Sequence, residues 1–303
     1  MTLTKQHTAF QAFSAQHADS IETALKQALP TKSADSRQLL NDALAYSLLS
    51  GGKRIRPLLC IATHQLFNAN TAQIMPLAVA IEMIHCYSLI HDDLPCMDDD
   101  DFRRGKPSSH KQFGEDIAVL AGDSLNTLAF EVLSTQLGHY SADSILQVIR
   151  LIASQTGIDG LIGGQILDIH GNSDSNSVDA LQAIHSKKTG ALFHCCILCP
   201  ALLEQAPERT ITLLTTFSKH LGLLFQIVDD ILDVTANQET LGKTPNKDEA
   251  LNKLTYVSLF GLDQAKAMAE KEALNALDCL SRLNLEKSDT LKEIVLFILN
   301  RSH

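Results

Sequence analysis

The chain has 303 residues, 45% of them apolar and 20% charged, and a net charge of −10. A chain of this length and balance buries a sizeable core without staples, and its negative charge argues against nucleic acid as the main partner. Abundant Ala and Leu, four Tyr and no Trp favour helices over sheets. The N-terminal MTLTKQHTAF has no basic stretch followed by an apolar one, so no secretory leader is expected. Helical periodicity then predicts helices over 7–28, 36–49, 57–68, 76–93, 117–138, 143–169, 178–204, 209–236, 250–280 and 288–300. Breaks fall at Pro30, Gly51-Gly52, Pro57, the polar GNSDSNS run at 171–177, Pro207 and Pro245. With no fixed-period repeat and no long linker, one all-α bundle over residues 1–303 is expected. No uninterrupted apolar run reaches the ~20 residues of a spanning helix, so membrane insertion is not expected. Seven scattered cysteines read as buried thiols of a reducing, cytoplasmic compartment. Cys195, Cys196 and Cys199 sit in an apolar stretch and read as packing.

Two acidic clusters stand out. The segment IHDDLPCMDDDDFRRG holds Asp92, Asp93, Asp98, Asp99, Asp100 and Asp101, with Arg103 and Arg104 as the nearby compensation. Two such charges ~4 Å apart repel by ~4 kcal/mol near a protein surface. At the end of an apolar helix they must protonate, turn to water or bind a cation. An oxygen-only set with no His at metal spacing suits magnesium rather than zinc. Pro95 cannot continue the helix, so the backbone must turn after Leu94, which can return Asp98 toward Asp92. Asp92 and Asp98 are therefore the expected ligands, and Asp99 to Asp101 read as solvated or supporting. The second cluster, FQIVDDILD, places Asp229 and Asp233 at i and i+4 with Gln226 a turn earlier. Asp230 lies between them. Carboxylates in so apolar a helix need partners or metals.

A basic set accompanies the acids. GGKRIRP at 51–57 brings Lys53, Arg54 and Arg56 to a helix start, where anions bind favourably, and Gly51-Gly52 permits close backbone approach. Pro57 suits the first helical position. His85 lies two turns before Asp92 on the same face, whereas His91 and His110 have no such alignment. Lys187-Lys188-Thr189-Gly190 interrupts a helix. Lys243 follows Gly242 in a polar loop. Gly163-Gly164 in GGQILD suggests a kink or close contact, with Gln165 and Asp168 at i and i+3.

With these motifs in order (GGKRIRP, IHCYSLIHDDLPCMDDDDFRRG, LAGDSLNTLAF, GGQILD, HSKKTGALF, GLLFQIVDDILD and LGK), nearly the whole chain resembles the trans-isoprenyl diphosphate synthases, most closely the bacterial farnesyl type. The resemblance implies an isoprenoid synthase bundle around a deep cavity and a homodimer. It implies that three magnesium ions bridge an allylic diphosphate to Asp92, Asp93, Asp98, Asp229, Asp230 and Asp233. It places Arg103, Lys188, Thr189, Gln226 and Lys243 at that diphosphate. It places Gly52, Lys53, Arg56, His85 and Arg104 at isopentenyl diphosphate. After Lys243 the stretch TPNKDEALNKLTYV departs from the family pattern, leaving the roles of Lys247 and Lys253 open.

Tyr87 lies five residues before Asp92, ~7.5 Å back along the helix axis. An aromatic ring there can floor the cavity under a growing chain, with small Ser88 beside it. In this family that pair, with the two-residue insertion between Asp93 and Asp98, resembles a farnesyl (C15) stop. The alternatives are a geranyl or geranylgeranyl product, a terpene cyclase, a non-catalytic subunit of a heteromeric synthase, or a helical scaffold with solvated acidic patches.

Overall fold

The computed structural model describes residues 8–68, 70–170, 177–235, 254–283 and 287–301. Helices α1 (Thr8–Gln27), α2 (Arg37–Leu48), α3 (Ile55–His64) and α4 (Thr71–Asp92) come first. A two-residue antiparallel pair, β1 (Phe102–Arg103) and β2 (Lys106–Pro107), leads into α5 (Ser109–Phe113) and α6 (Glu115–Gln136). Then come α7 (Ala142–Thr156), α8 (Leu161–His170), α9 (Val178–His185), a π turn (Ser186–Gly190), α10 (Ala191–Leu203) and α11 (Glu208–Thr235). The described chain closes with α12 (Tyr256–Phe260), α13 (Leu262–Arg282) and α14 (Asp289–Asn300). The all-α expectation holds, with one small strand pair added.

The apolar pattern explains which helices lie inside. α4 and α10 are apolar on nearly every face and are buried along most of their length. α4 packs most extensively on α6 and also touches α3 and α10, while α11 packs on α13 and α10. The core runs through Leu59, Ile61, Leu77, Ile81, Phe193, Phe217 and Tyr256. Cys195, Cys196 and Cys199 are buried in it, as expected. Cys96 corrects the reading of the cysteines as buried, because it is exposed in the loop after Pro95. All seven are free thiols.

Several boundaries move, each for a local reason. α4 begins at Thr71 rather than at the proline, because the Asn70 side chain accepts from Ala72 N at 3.2 Å and caps the helix there. Pro76 therefore sits inside the helix. α3 starts at Ile55, so Pro57 is third rather than first, still within the turn whose N–H groups need no intrahelical acceptor. The expected 143–169 helix breaks at Gly157 and resumes at Leu161, and Gly261, at φ 79°, separates α12 from α13.

Four stretches are long and apolar enough to cross a membrane by length and composition: α4, α6, α7–α8 and α11. In α4 the apolar window is 67% buried within the fold and in α11 50%. Chain-interior packing thus consumes much of the apolarity of the two helices that carry the acidic clusters.

Two glycines set the spacing around the π turn. A Cβ on Gly164 would lie 2.3 Å from Lys188 N, and one on Gly222 would lie 3.1 Å from Gly190 Cα. So α8, the π turn and α11 meet backbone to backbone, and the GGQILD glycines serve a close approach. Gly164→Ala should therefore push the turn outward and destabilise the fold by ~1–3 kcal/mol, the usual cost of overpacking. A thermal midpoint equal to that of the parent would show that the contact is dispensable.

Candidate active site

The first acidic cluster forms where α4 stops. Asp93 caps the helix and the chain turns at once, with Asp98 N bonding Asp92 O at 2.9 Å, Asp99 N bonding Leu94 O at 3.1 Å and Asp100 N bonding Asp93 O at 3.2 Å. Asp98 is thus folded back beside Asp92, as Pro95 suggested. Burial pushes the Asp92 carboxyl up to about 6; Lys188 pulls it down, and Asp98 raises it further. Asp93 differs from its neighbours. It is 2% exposed and is gripped by Arg103, whose Nε lies 3.0 and 3.2 Å from its two oxygens and whose Nη2 makes a closer contact. Arg103 also reaches Asp100 at 3.3 Å. In this arrangement Asp93 orients Arg103.

The second cluster divides in the same way. Asp229 stays partly exposed, while Asp230 and Asp233 are buried. Asp230 accepts hydrogen bonds from Gln226 Nε2 at 2.9 Å and from the Tyr256 backbone N–H at 2.8 Å, fastening α12 to α11. Asp229 Oδ1 lies 2.9 Å from Arg301 Nη2. That guanidinium stacks 4.2 Å over the Phe225 ring and is 7% exposed.

The π turn joins the two clusters. Lys188 Nζ donates to Asp168 Oδ2 at 2.6 Å, and its charge also acts on Asp92. Thr189 Oγ1 donates to Gln226 Oε1 at 2.9 Å. Neighbouring residues of one turn therefore address both acidic helices. His185, just before the turn, is held down at about 4, chiefly by burial, with the charge of Asp168 opposing. Gln165 is buried with neither amide atom hydrogen-bonded among the described residues.

The basic loop closes the remaining side. Burial lowers the Lys53 ammonium, Arg301 lowers it further, and Asp229 opposes both. Arg56 Nη1 lies 3.1 Å from His85 Nε2 and its guanidinium sits 5.3 Å from the Phe193 ring centre. Burial and the Arg56 charge hold His85 well below its usual range, so the neutral ring accepts from Arg56. Arg104 bonds the Gly51 carbonyl and lies 3.1 Å from Ser50 Oγ. Gly52, at φ 121°, would carry a Cβ 3.0 Å from Arg104 Cζ, so glycine is required there. Arg54 departs from the basic cluster. It is buried against Glu22 and Glu82, each at 2.7 Å, and ties α1 and α4 together. Lys243, Lys247 and Lys253 lie outside the described residues.

Tyr87 is buried, edge-on to His91 with centroids 5.8 Å apart. Its hydroxyl is pushed up to about 12 by burial, with Asp92 adding to the shift. Ser88 donates to the His85 carbonyl at 2.9 Å.

Sequence reading missed Arg301, which is 72 residues from Asp229 and has no local motif. Glu82 had a signal that was not used: it is the one carboxylate inside the apolar part of α4. The donors that remain accessible fit a hard divalent ion: Asp92 and Asp98 on one helix end and Asp229 on the other, all oxygen. Asp92, whose burial opposes its charge, is the group that a cation would relieve most.

The comparisons agree with this geometry. The polyprenyl synthetase family profile matches residues 37–295. The chain is 41% identical over 274 residues to the farnesyl diphosphate synthase of Bacillus subtilis, covering 90% of this chain and 92% of that one. It is equally 41% identical to a chloroplastic geranylgeranyl pyrophosphate synthase of Catharanthus roseus, covering 97% and 82%. An apo crystal structure of an FPP/GFPP synthase from Zymomonas mobilis superposes with a TM-score of 0.86 at 35% identity, covering 97% of this chain and 100% of that one. A geranyltransferase from Legionella pneumophila gives 0.86 at 33%, covering 98% and 99%. The family profile, relatives across nearly the full length and the shared helical fold lead to one assignment: the chain belongs to the polyprenyl synthetase family.

Proposed function

We propose that the protein condenses an allylic diphosphate, dimethylallyl or geranyl, with isopentenyl diphosphate, head to tail and trans, to give farnesyl diphosphate and pyrophosphate. The observation that carries this reading is the π turn, where Lys188 reaches toward Asp92 and Thr189 bonds Gln226 beside Asp229. Cationic and acidic groups thereby converge on one place from α4, α11 and the turn. Asp92, Asp98 and Asp229 are the accessible oxygen donors that would hold magnesium, three ions being expected, and the metal would supply positive charge to the departing pyrophosphate. Lys188 and Arg103 add fixed positive charge at the same oxygens, with Thr189 and Gln226 completing that diphosphate's site among the described residues. Asp93 holds Arg103 in place, Asp230 fastens α12 to α11, and Asp233 lies buried one turn beyond Asp229. Gly52, Lys53, Arg56, His85 and Arg104 make a second anion site for isopentenyl diphosphate. Neutral His85 accepts from Arg56 and so aims that guanidinium. Apolar side chains of α4 and α10 shield the allylic cation from water. Pyrophosphate takes the final proton, so no protein base is needed.

The same reading makes the protein a cytoplasmic homodimer, which the exposed apolar Val119 and Leu120 of α6 support as a face for a second copy. Incubation with labelled isopentenyl diphosphate, each allylic starter and magnesium should yield a C15 alcohol after dephosphorylation. No condensation with any starter would overturn the assignment. A second reading, geranylgeranyl diphosphate synthesis, is favoured by the equal identity to the Catharanthus roseus enzyme. It predicts a C20 alcohol in the same assay.

Tyr87 decides between them. Its buried ring lies below Asp92 on the helix that carries the first cluster, so Tyr87→Ala should lengthen the product beyond C15. An unchanged product distribution would remove Tyr87 as the floor.

The raised Asp92 carboxyl gives a pH dependence with a defined sign. Its ordinary value is 3.8 and its folded value is about 6, so the metal-free fold binds more protons than the unfolded chain between those values. Its contribution to stability falls as pH rises through that window. Magnesium must displace the proton, so the midpoint gained from magnesium with pyrophosphate should shrink below about pH 6. Metal-free Asp92→Asn should melt higher than the parent at pH 7.5. A lower midpoint for that variant would show the charge to be compensated already.

A further inference from the structure

The run Asp98–Asp101 holds more carboxylates than the diphosphate site uses. Asp98 turns back to Asp92, but Asp99 does not follow it. Its φ is 49°, a left-handed conformation that Asp tolerates better than most residues. One oxygen from Asp99, one from Asp101 and a ring nitrogen of His110 lie within 4.8 Å of one another. His110 is 6% exposed. Its Nδ1 lies 3.1 Å from Ser108 Oγ, while its Nε2 is buried with no hydrogen-bond partner. Buried polar atoms are seldom left so, and an ion or water is the usual explanation. In the tautomer where Ser108 Oγ accepts from Nδ1–H, Nε2 keeps its lone pair for a metal.

The two carboxylates of this cluster answer chiefly to Lys111, while the His110 charge also reaches Asp93 at the edge of the diphosphate site. Asp101 pairs with Lys111 Nζ at 2.8 Å, and Asp99 and Glu115 also act on Lys111. Asp92 is tuned instead by Lys188, Asp98 and Arg103. Asp99 and Asp101 are exposed and His110 is not, so the cluster has an open mouth and a closed base. Ligand distances of ~2.0–2.2 Å require the three atoms to draw together by about an ångström, which exposed aspartates can supply.

We propose that Asp99, Asp101 and His110 form a second divalent-cation site, separate from the diphosphate site and selective for a transition ion of the manganese-to-zinc type. One imidazole nitrogen with two carboxylates suits such ions, whereas magnesium favours oxygen alone. Lys111 stands in for the ion in the metal-free protein. A bound ion ties the loop that ends at Asp101 to α5, and so steadies the stretch carrying Asp98.

The test uses Mn2+ alone, without pyrophosphate, on the full chain carrying Asp92→Asn and Asp229→Asn to silence the diphosphate site. Pulsed electron paramagnetic resonance should show one bound Mn2+ with nitrogen coupling. His110→Gln should abolish the coupling and weaken binding at least about tenfold. Asp99→Asn should weaken binding while leaving the thermal midpoint of the metal-free protein unchanged. Lys111→Met, which removes the competing ammonium, should tighten it. Mn2+ without nitrogen coupling, coupling that survives His110→Gln, or no binding at all would overturn the proposal and leave a bridging water at His110 Nε2.

Discussion

Everything at this site depends on carboxylates being placed where their own charge is unwelcome. α4 is apolar almost throughout, and Asp92 emerges from it still largely shielded from water. Burial is the first cause of its raised value, and Asp98, folded back by a backbone hydrogen bond, adds to it. A group in that position has three remedies: a proton, a fixed cation or a bound one. The fold supplies the fixed cation sparingly. Lys188 approaches Asp92 but is held by Asp168 at 2.6 Å, so its charge is shared. What remains uncompensated is a standing demand for positive charge at the place where a diphosphate would need it too.

The neighbouring aspartates show how the demand is localised. Asp93 is buried deeper than Asp92, yet its carboxylate is engaged by Arg103. Asp230 is deeper than Asp229, and it is engaged by Gln226 and the Tyr256 backbone. In each acidic pair one member is fastened and positions its surroundings, while the other keeps an accessible face. Removing the fastened member would leave Arg103 with only Asp100, or the start of α12 without its Asp230 acceptor, a loss distinct from losing a ligand.

Much of this was legible in the residues. Pro95 dictated the turn after Leu94, and that turn is what returns Asp98 to Asp92. The alignment of His85 with Asp92 was visible from helical spacing. The contact of His85 with Arg56 was not, since it joins α3 to α4. Gly163-Gly164 signalled a close approach, but only the fold shows that the partner is the backbone of Lys188. Pattern reading failed where capping overrode it. Asn70 started α4 five residues before the expected proline, and periodicity ran straight through the Gly157 and Gly261 breaks. Arg301 had no sequence signal at all, because its meaning comes from α14 ending beside Asp229.

Chain length is a different kind of constraint from charge. Relatives named for C15 and C20 products share the same identity with this chain, so overall likeness does not choose between the two lengths. Ionising an allylic diphosphate needs the same cations whatever the tail. On the proposed reading, what responds to tail length is depth along α4 from Asp92. Along α4 that depth is measured in helical turns, and Tyr87 is the first large ring below the acidic rim. Its ring is locked edge-on against His91, and Gly122 of α6 lies so close that a Cβ there would sit 2.1 Å from the His91 ring. The Tyr87–His91 pair is therefore braced from behind by helix packing, which leaves the tyrosine ring little room to rotate.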